Sequence, residues 1–243
     1  MKPYYEKNGI SVFHGDCAEV LSALEADSVQ VSLTDPPWEV SATGIEIRGT
    51  GVAPRKQASR SIKAGTVGSW SSSVVEDLQR VVANDLLILA GYKELGRTCE
   101  LQKPLRGVFG WHKPNGAPGM VYPAKLDLSF IVWGGKKSLL YGHQHWPSMV
   151  FSYSFPSAGC FASERFVDAS GKAIHPCQSP LALYLELLRP FAKGTTVIDP
   201  YMGTGTTLEA AKRLGLKCIG VEREERYVEI AVRRLAQEVL PFV

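Results

Sequence analysis

The sequence predicts an α/β fold, with a largely parallel β-sheet covered by helices on both faces. Three observations predict it. Short apolar or β-branched runs alternate with stretches of helical periodicity along the chain. One of these runs leads through a glycine turn straight into a helix, as parallel strand–helix units do. The length of 243 residues, with 45% hydrophobic and 21% charged residues, suits one medium domain or a domain with a small insertion.

Ile10 to Phe13 reads as a strand, and Asp16 then caps a helix that runs through Val20, Leu21 and Leu24. Val29 to Leu33 is a β-branched strand that Asp35-Pro36-Pro37 ends. Ser41 to Ser73 is rich in Gly and Ser, and it carries Arg48, Arg55, Lys56, Arg60 and Lys63 against the single acid Glu46. Loops of that length in compact domains are usually functional or mobile. Ser73 and Glu76 have capping-box spacing and open a helix with Val74, Leu78, Val81 and Val82 on one face. Strands follow at Leu86–Leu89, Gly107–Trp111 and Leu128–Trp133. Gly134 to Ala173 reads as irregular and aromatic, with Tyr141, Trp146, Phe151, Tyr153 and Phe155; its part from Tyr141 to Phe161 is either core or a short recognition element. Ser179 reads as a cap with Pro180 at the first helical position, opening a helix with Leu181, Tyr184, Leu185 and Leu188 on one face. Thr195–Ile198 is a strand, Thr206–Leu214 a helix and Cys218–Val221 a strand. Val228, Ala231, Val232 and Leu235 mark the last helix.

Composition removes several classes. The apolar content excludes a wholly disordered chain. No apolar run approaches the roughly 20 residues that span a bilayer, and Met1 to Glu6 lacks the apolar core of a secretory signal. The net charge of +3 leaves room for a local basic patch without demanding one. The five cysteines are scattered, with no Cys-x-x-Cys pair, which points to a reducing cytoplasm. His143 and His145 have strand spacing for a metal pair, but no third ligand is evident, so no metal is expected.

The segment from Val197 to Thr207 is a strand, a glycine turn and a helix. Glycines allow a ligand close to the backbone, and the helix N-terminal amides then face an anionic group. Glu222 ends the next strand, where a carboxylate accepts bonds from a ribose diol. A dinucleotide fingerprint needs a third glycine where Leu208 stands, and the Gly-Lys-Ser/Thr of a P-loop is absent. The loop therefore suits a nucleoside without a pyrophosphate. Asp199 before it favours a cationic amine, so S-adenosylmethionine fits.

Thr34-Asp35-Pro36-Pro37-Trp38 follows a buried strand, at the edge where open α/β sheets bind ligands. The prolines fix φ and donate no hydrogen bond, which leaves the carbonyls of Asp35 and Pro36 to face a ligand. A carboxylate and carbonyls beside an aromatic face suit the exocyclic amine of a nucleobase, with Trp38 stacking on the ring.

With these motifs in place, the sequence resembles the S-adenosylmethionine-dependent DNA amino-methyltransferases, in the motif order of the β class. The resemblance covers most of the chain. His14-Gly15-Asp16-Cys17 resembles the acidic segment near the cofactor's adenine, and Asp35-Pro36-Pro37-Trp38 the catalytic motif of adenine-N6 enzymes. Trp111 to Asn115 resembles the segment after the sixth motif, and His175 to Pro180 the motif opening the helix under the methionine end. The family usually has Lys where this chain has Ser179. The resemblance implies a Rossmann-like methyltransferase fold with a seven-stranded sheet and permuted halves. Residues 1–133 would form the substrate half, 134–173 a small target-recognition segment and 174–243 the cofactor half. It implies catalytic roles for Asp35, Pro36, Pro37 and Trp38. It implies cofactor contacts at Asp16, Cys17, Asp35, His175, Ser179, Asp199, Pro200, Tyr201, Met202, Gly203, Gly205, Thr206, Thr207, Glu222 and Arg223. Arg48, Arg55, Lys56, Arg60, Lys63, Lys113, Lys136 and Lys137 are the expected nucleic-acid contacts, on the substrate side.

The function expected is methylation of adenine N6 in double-stranded DNA, with no membrane partner; a homodimer is compatible with it. N4-cytosine enzymes of the family usually carry Ser in place of Asp35. An RNA adenine enzyme shares the tetrapeptide. A silent nucleic-acid-binding partner would have a degraded tetrapeptide or loop, and neither is degraded.

Overall fold

At the centre of the sheet is a strand read as VQVSLT, β3 (Val29–Thr34), whose last four residues are all buried. In the computed structural model the described residues are 2–37, 72–115, 127–140, 146–154, 156, 166–167 and 178–237. Before β3 come β1 (Tyr5–Lys7), β2 (Ile10–His14) and the helix α1 (Cys17–Ala23). After it come α2 (Ser72–Val81), β4 (Val82–Ala90), α3 (Leu95–Leu101), β5 (Leu105–His112), β6 (Leu128–Gly134) and β7 (Val150–Ser152). The last stretch holds α4 (Leu181–Leu188), β8 (Thr196–Asp199), α5 (Thr206–Leu214), β9 (Lys217–Glu222) and α6 (Glu225–Ala236).

Among the described residues these strands make one nine-stranded sheet in the order β1-β2-β9-β8-β3-β4-β6-β5-β7. The expected seven strands are its middle. β1 and β7, of three residues each, are added at the two edges. β1 is too polar to show as a strand; it is folded back by Asn8-Gly9, whose positive φ angles of 52° and 79° suit a tight hairpin turn. The sheet is mixed: β1–β2, β4–β6 and β5–β6 are antiparallel and the other pairs are parallel.

Successive strand residues point to opposite faces, and the core divides accordingly. Val197, Leu87 and Leu89 join α4, α5 and α6 on one side through Leu183, Leu187, Leu208 and Val228. Ile198, Leu86 and Val29 join α1 and α2 on the other through Leu21, Val74 and Leu78. Within the first cluster, Trp146 packs edge-on against Phe109 at 4.9 Å and Trp133 at 5.1 Å, and Phe151 is 2% exposed. The described aromatics Trp146 and Phe151 are therefore core. The segment holding them is not wholly irregular, since it contains β7.

Two caps differ from expectation. Ser73 lies inside α2, which begins at Ser72. The N-cap of α4 is Pro180, so Ser179 precedes the helix and its hydroxyl is used elsewhere. Asp16 caps α1 as expected, accepting the Ala18 amide at 2.8 Å. The short helix α3 carries Gly96 and β-branched Thr98 and has no side-chain cap, so its sequence signal is weak.

Candidate active site

The connections run outward from β3 through α2 to β4 on one side, and from β8 through α5 to β9 on the other. β3 and β8 are neighbours, so the sheet's topological switch point lies between their C-terminal ends, where open α/β sheets bind ligands. Thr34 and Asp35 stand at one end and Asp199 at the other. Thr34 Oγ1 donates to Asp199 Oδ1 at 2.7 Å, the Tyr201 amide donates to the same oxygen at 3.1 Å, and Thr207 Oγ1 donates to Oδ2. Asp199 is 3% exposed. Burial pushes its carboxyl up to about 6; the Thr207, Thr34 and Tyr201 donors oppose that, and the nearby Asp35 adds to it. Asp199 therefore braces β3, β8 and α5 together. What it offers a ligand is the field of a buried negative charge.

Asp35 is only partly buried. Ser179 Oγ donates to its Oδ2 at 3.2 Å, across 144 positions of sequence. Tyr184 lies buried in α4 behind Ser179, and burial, then Asp35 and Asp199, hold its hydroxyl well above the usual tyrosine range. On the other side of Asp199, Gly203 and Gly205 turn the loop with φ of 52° and 79°. A Cβ on Gly205 would stand 2.9 Å from the Ala231 Cβ, so the loop lies close against α6. Glu222, at the end of β9, accepts the Gly203 amide at 3.1 Å and the Glu224 amide at 2.8 Å, and its backbone carbonyl accepts the Gly15 amide at 3.0 Å. Burial raises the Glu222 carboxyl, and the amides of Glu224, Gly203 and Arg223 oppose the rise. Burial raises the Cys17 thiol at the start of α1 and the Tyr201 hydroxyl. His14 Nε2 lies 3.0 Å from the Arg223 carbonyl. Asp16, Cys17, Tyr201, Gly203 and Glu222 thus surround one end of β9.

Residues 134–233 match the family model for DNA methylase. The type II methyltransferase M2.DpnII of Streptococcus pneumoniae is 27% identical over 257 residues, which cover 98% of this chain and 93% of the relative. The type II methyltransferase M.HinfI of Haemophilus influenzae is 24% identical, over 95% of this chain and 69% of the relative. The chain is similar to DNA methylases over residues 134–233. It also shares its fold with two solved structures. An M1.HpyAVI–SAM complex aligns with a TM-score of 0.64 and 20% identity, over 94% of this chain and all of the other. The cytosine-N4-specific PvuII DNA methyltransferase aligns with a TM-score of 0.66 and 17% identity, over 98% of this chain and 90% of the other.

The residues at the switch point fit S-adenosylmethionine, the cofactor that the sequence resemblance implies. A strand-end carboxylate already tied to the glycine turn suits a ribose diol, and a glycine turn that opens a helix suits a carboxylate. The buried Asp199 charge suits an ammonium or sulfonium.

The basic residues separate. β5 runs parallel to β4, so Lys113 at its C-terminal end shares the Asp35 edge of the sheet; its Nζ reaches Ser129 Oγ at 2.6 Å and lies 4.4 Å from the Trp111 ring. Lys136 and Lys137 do not share that edge, contrary to expectation. β6 is antiparallel and ends at the far side of the sheet, where Lys136 pairs with Asp27 and Lys137 gives its carbonyl to Asn84 Nδ2. Trp38, Arg48, Arg55, Lys56, Arg60, Lys63, His143, His145 and His175 lie outside the described residues. The chain leaves Pro37 and returns at Ser72 on the Asp35 edge, since α2 ends where β4 begins at the opposite edge. Sequence reading passed over Thr34 and Tyr184. The available signals were a hydroxyl on the last residue of a buried strand and a tyrosine within the leucine-rich face of α4. No described helix is long and apolar enough to cross a membrane.

Proposed function

We propose that the protein is an S-adenosylmethionine-dependent DNA methyltransferase of the N4/N6 type that modifies the N6 amine of adenine in double-stranded DNA, on a base turned out of the stack, in the cytoplasm. The observation that carries this reading is the Asp35 carboxylate at the switch point, held by Ser179 and set beside the braced Asp199. The resemblance leads one to expect Ser at that position in N4-cytosine enzymes. S-adenosylmethionine, when bound, supplies the electrophilic methyl group. Asp35 and the Pro36 carbonyl accept hydrogen bonds from the amine, which draws the nitrogen lone pair out of conjugation. As the nitrogen takes the methyl group from sulfur and gains positive charge, the carboxylate stabilises it without moving, and the surplus amine proton then leaves through Asp35 to solvent. Pro36 and Pro37 keep this acceptor cluster stiff, and Trp38 is the residue for stacking the extruded base. No side-chain nucleophile is needed, so none of the five cysteines serves as one. Residues 1–133 carry the substrate side, 134–173 target recognition and 174–243 the cofactor side, joined there by β1 and β2, which lie beside β9.

The test is incubation with labelled cofactor and unmethylated DNA, with RNA in parallel, followed by digestion and mass spectrometry. N6-methyladenine from DNA is expected, and Asp35→Ala should abolish it in a folded protein. Methylcytosine as sole product, activity on RNA alone, or full activity in Asp35→Ala would refute the reading.

A further inference from the structure

We propose that Ser179 is a positioning residue for methyl transfer: its hydroxyl fixes the plane of the Asp35 carboxylate. The inference rests on the reading of Asp35 given above. Ser179 Oγ donates to Asp35 Oδ2 at 3.2 Å, and Ser179 is 7% exposed. Both partners stand immediately before a proline, Asp35 before Pro36 and Ser179 before Pro180. A residue before proline is confined to extended backbone, so each side chain leaves a stiff support. Pro180 continues directly into α4, which is anchored by buried Leu181, Leu183, Leu187 and Leu188. The bond therefore ties a rigid helix start in the cofactor side to a rigid strand end in the substrate side.

Ser179 has one hydroxyl proton, and it is given to Asp35 Oδ2. A neutral donor has a chemical consequence. It orients the carboxylate without itself bringing a positive charge beside it. The lysine usual in the resembling family would supply a competing positive charge. Ser179 is thus a rotational lock on the catalytic acid.

The experiment compares wild type with Ser179→Ala, Ser179→Cys and Ser179→Thr. It measures kcat and KM on unmethylated genomic DNA, cofactor Kd by calorimetry, and Tm. Ser179→Ala should lower kcat by about 10- to 100-fold, the scale of a misplaced reacting group. KM for DNA and cofactor Kd should stay within about twofold, because the hydrogen bond removed acts on the reaction and not on binding. Ser179→Thr, which keeps the donor, should recover most of kcat. Ser179→Cys keeps the volume with a weak donor and should remain slow, so the test survives if the alanine variant does not fold. The Ser179→Ala change should add almost nothing on an Asp35→Ala background. A kcat within about twofold of wild type in a folded Ser179→Ala or Ser179→Cys protein would overturn the proposal. So would a loss of cofactor affinity that accounts for the whole defect, or a stable Ser179→Thr variant as slow as alanine. Failure of the underlying reading looks different, since Asp35→Ala would itself stay active.

Discussion

Asp199→Asn should change how stability depends on pH, and the structure sets the size of the change. The buried carboxyl is raised from 3.8 to about 6, chiefly by desolvation. The folded protein therefore holds this proton more tightly than the unfolded chain does. Its stabilising contribution is fully present below the unfolded value and is lost as pH rises through about 6. At about 1.4 kcal/mol per unit the full loss is about 3 kcal/mol. Most of that, about 2 kcal/mol, falls between pH 4 and 7. Asparagine preserves the shape of the side chain. Its oxygen still accepts from Thr34 and the Tyr201 amide, and Thr207 can turn its oxygen to accept from the new amide. The variant lacks only the titration. Urea unfolding of both proteins across this pH range gives the two stability curves, and subtraction removes every group they share, Glu222 included. The wild type should lose about 2 kcal/mol relative to Asp199→Asn between pH 4 and 7. Parallel curves would refute the reasoning, because they would mean that the Asp199 charge carries no desolvation cost.

Glu222→Ala should weaken S-adenosylmethionine binding by about 1–3 kcal/mol, read by calorimetric titration, since a charged acceptor is removed; unchanged affinity in a folded variant would take Glu222 out of the site. Replacing Arg55, Lys56 and Arg60 with Ala should flatten the salt dependence of DNA binding by roughly 0.9 for each phosphate that is no longer neutralised. The double change Lys136→Ala and Lys137→Ala should leave that slope unaltered, because those residues stand at the far edge of the sheet. Gly205→Ala forces a side chain into left-handed backbone against Ala231, a strain of about 1–2 kcal/mol or more. It should lower Tm by several degrees, about 2–4 °C per kcal/mol in a chain of this length. An unchanged Tm would show that the loop relaxes freely.

The parallel core of the fold was legible because buried strands and amphipathic helices carry strong local patterns. Val197 and Ile198 could be read as a strand before anything placed them on opposite faces of the sheet. The edges were not legible. β1 is polar and β7 is three residues long, and both exist because a neighbouring strand supplies hydrogen bonds. The site divides the same way. Asp35, Asp199, Gly203 and Glu222 stood out through residue type and position in strand–turn–helix units. Their bracing did not. Thr34 to Asp199 and Ser179 to Asp35 join positions 165 and 144 apart, and no local pattern carries such a pairing. Lys136 and Lys137 show the opposite error. Two adjacent lysines resemble a phosphate site until the reversed direction of β6 carries them away from it.

The two braced carboxylates also bear on how DNA can be held. Burial and then the charges of Asp35 and Asp199 suppress the ionisation of Tyr184, and Asp35 adds to the rise of Asp199, so the switch point carries a negative field. That field favours a cationic cofactor and an amine gaining positive charge, and it repels phosphate. Affinity for a DNA backbone must therefore come from positive charge outside the switch point but on the same edge. Lys113 is there, beside Trp111. The basic stretch that holds Arg48, Arg55, Lys56, Arg60 and Lys63 begins directly after Asp35-Pro36-Pro37 and rejoins the described fold at α2 on that edge. The acid that the proposed function makes catalytic and the densest run of positive charge are thus in direct succession in the sequence, and the described chain on either side of that run, at Pro37 and at Ser72, stands on the Asp35 edge.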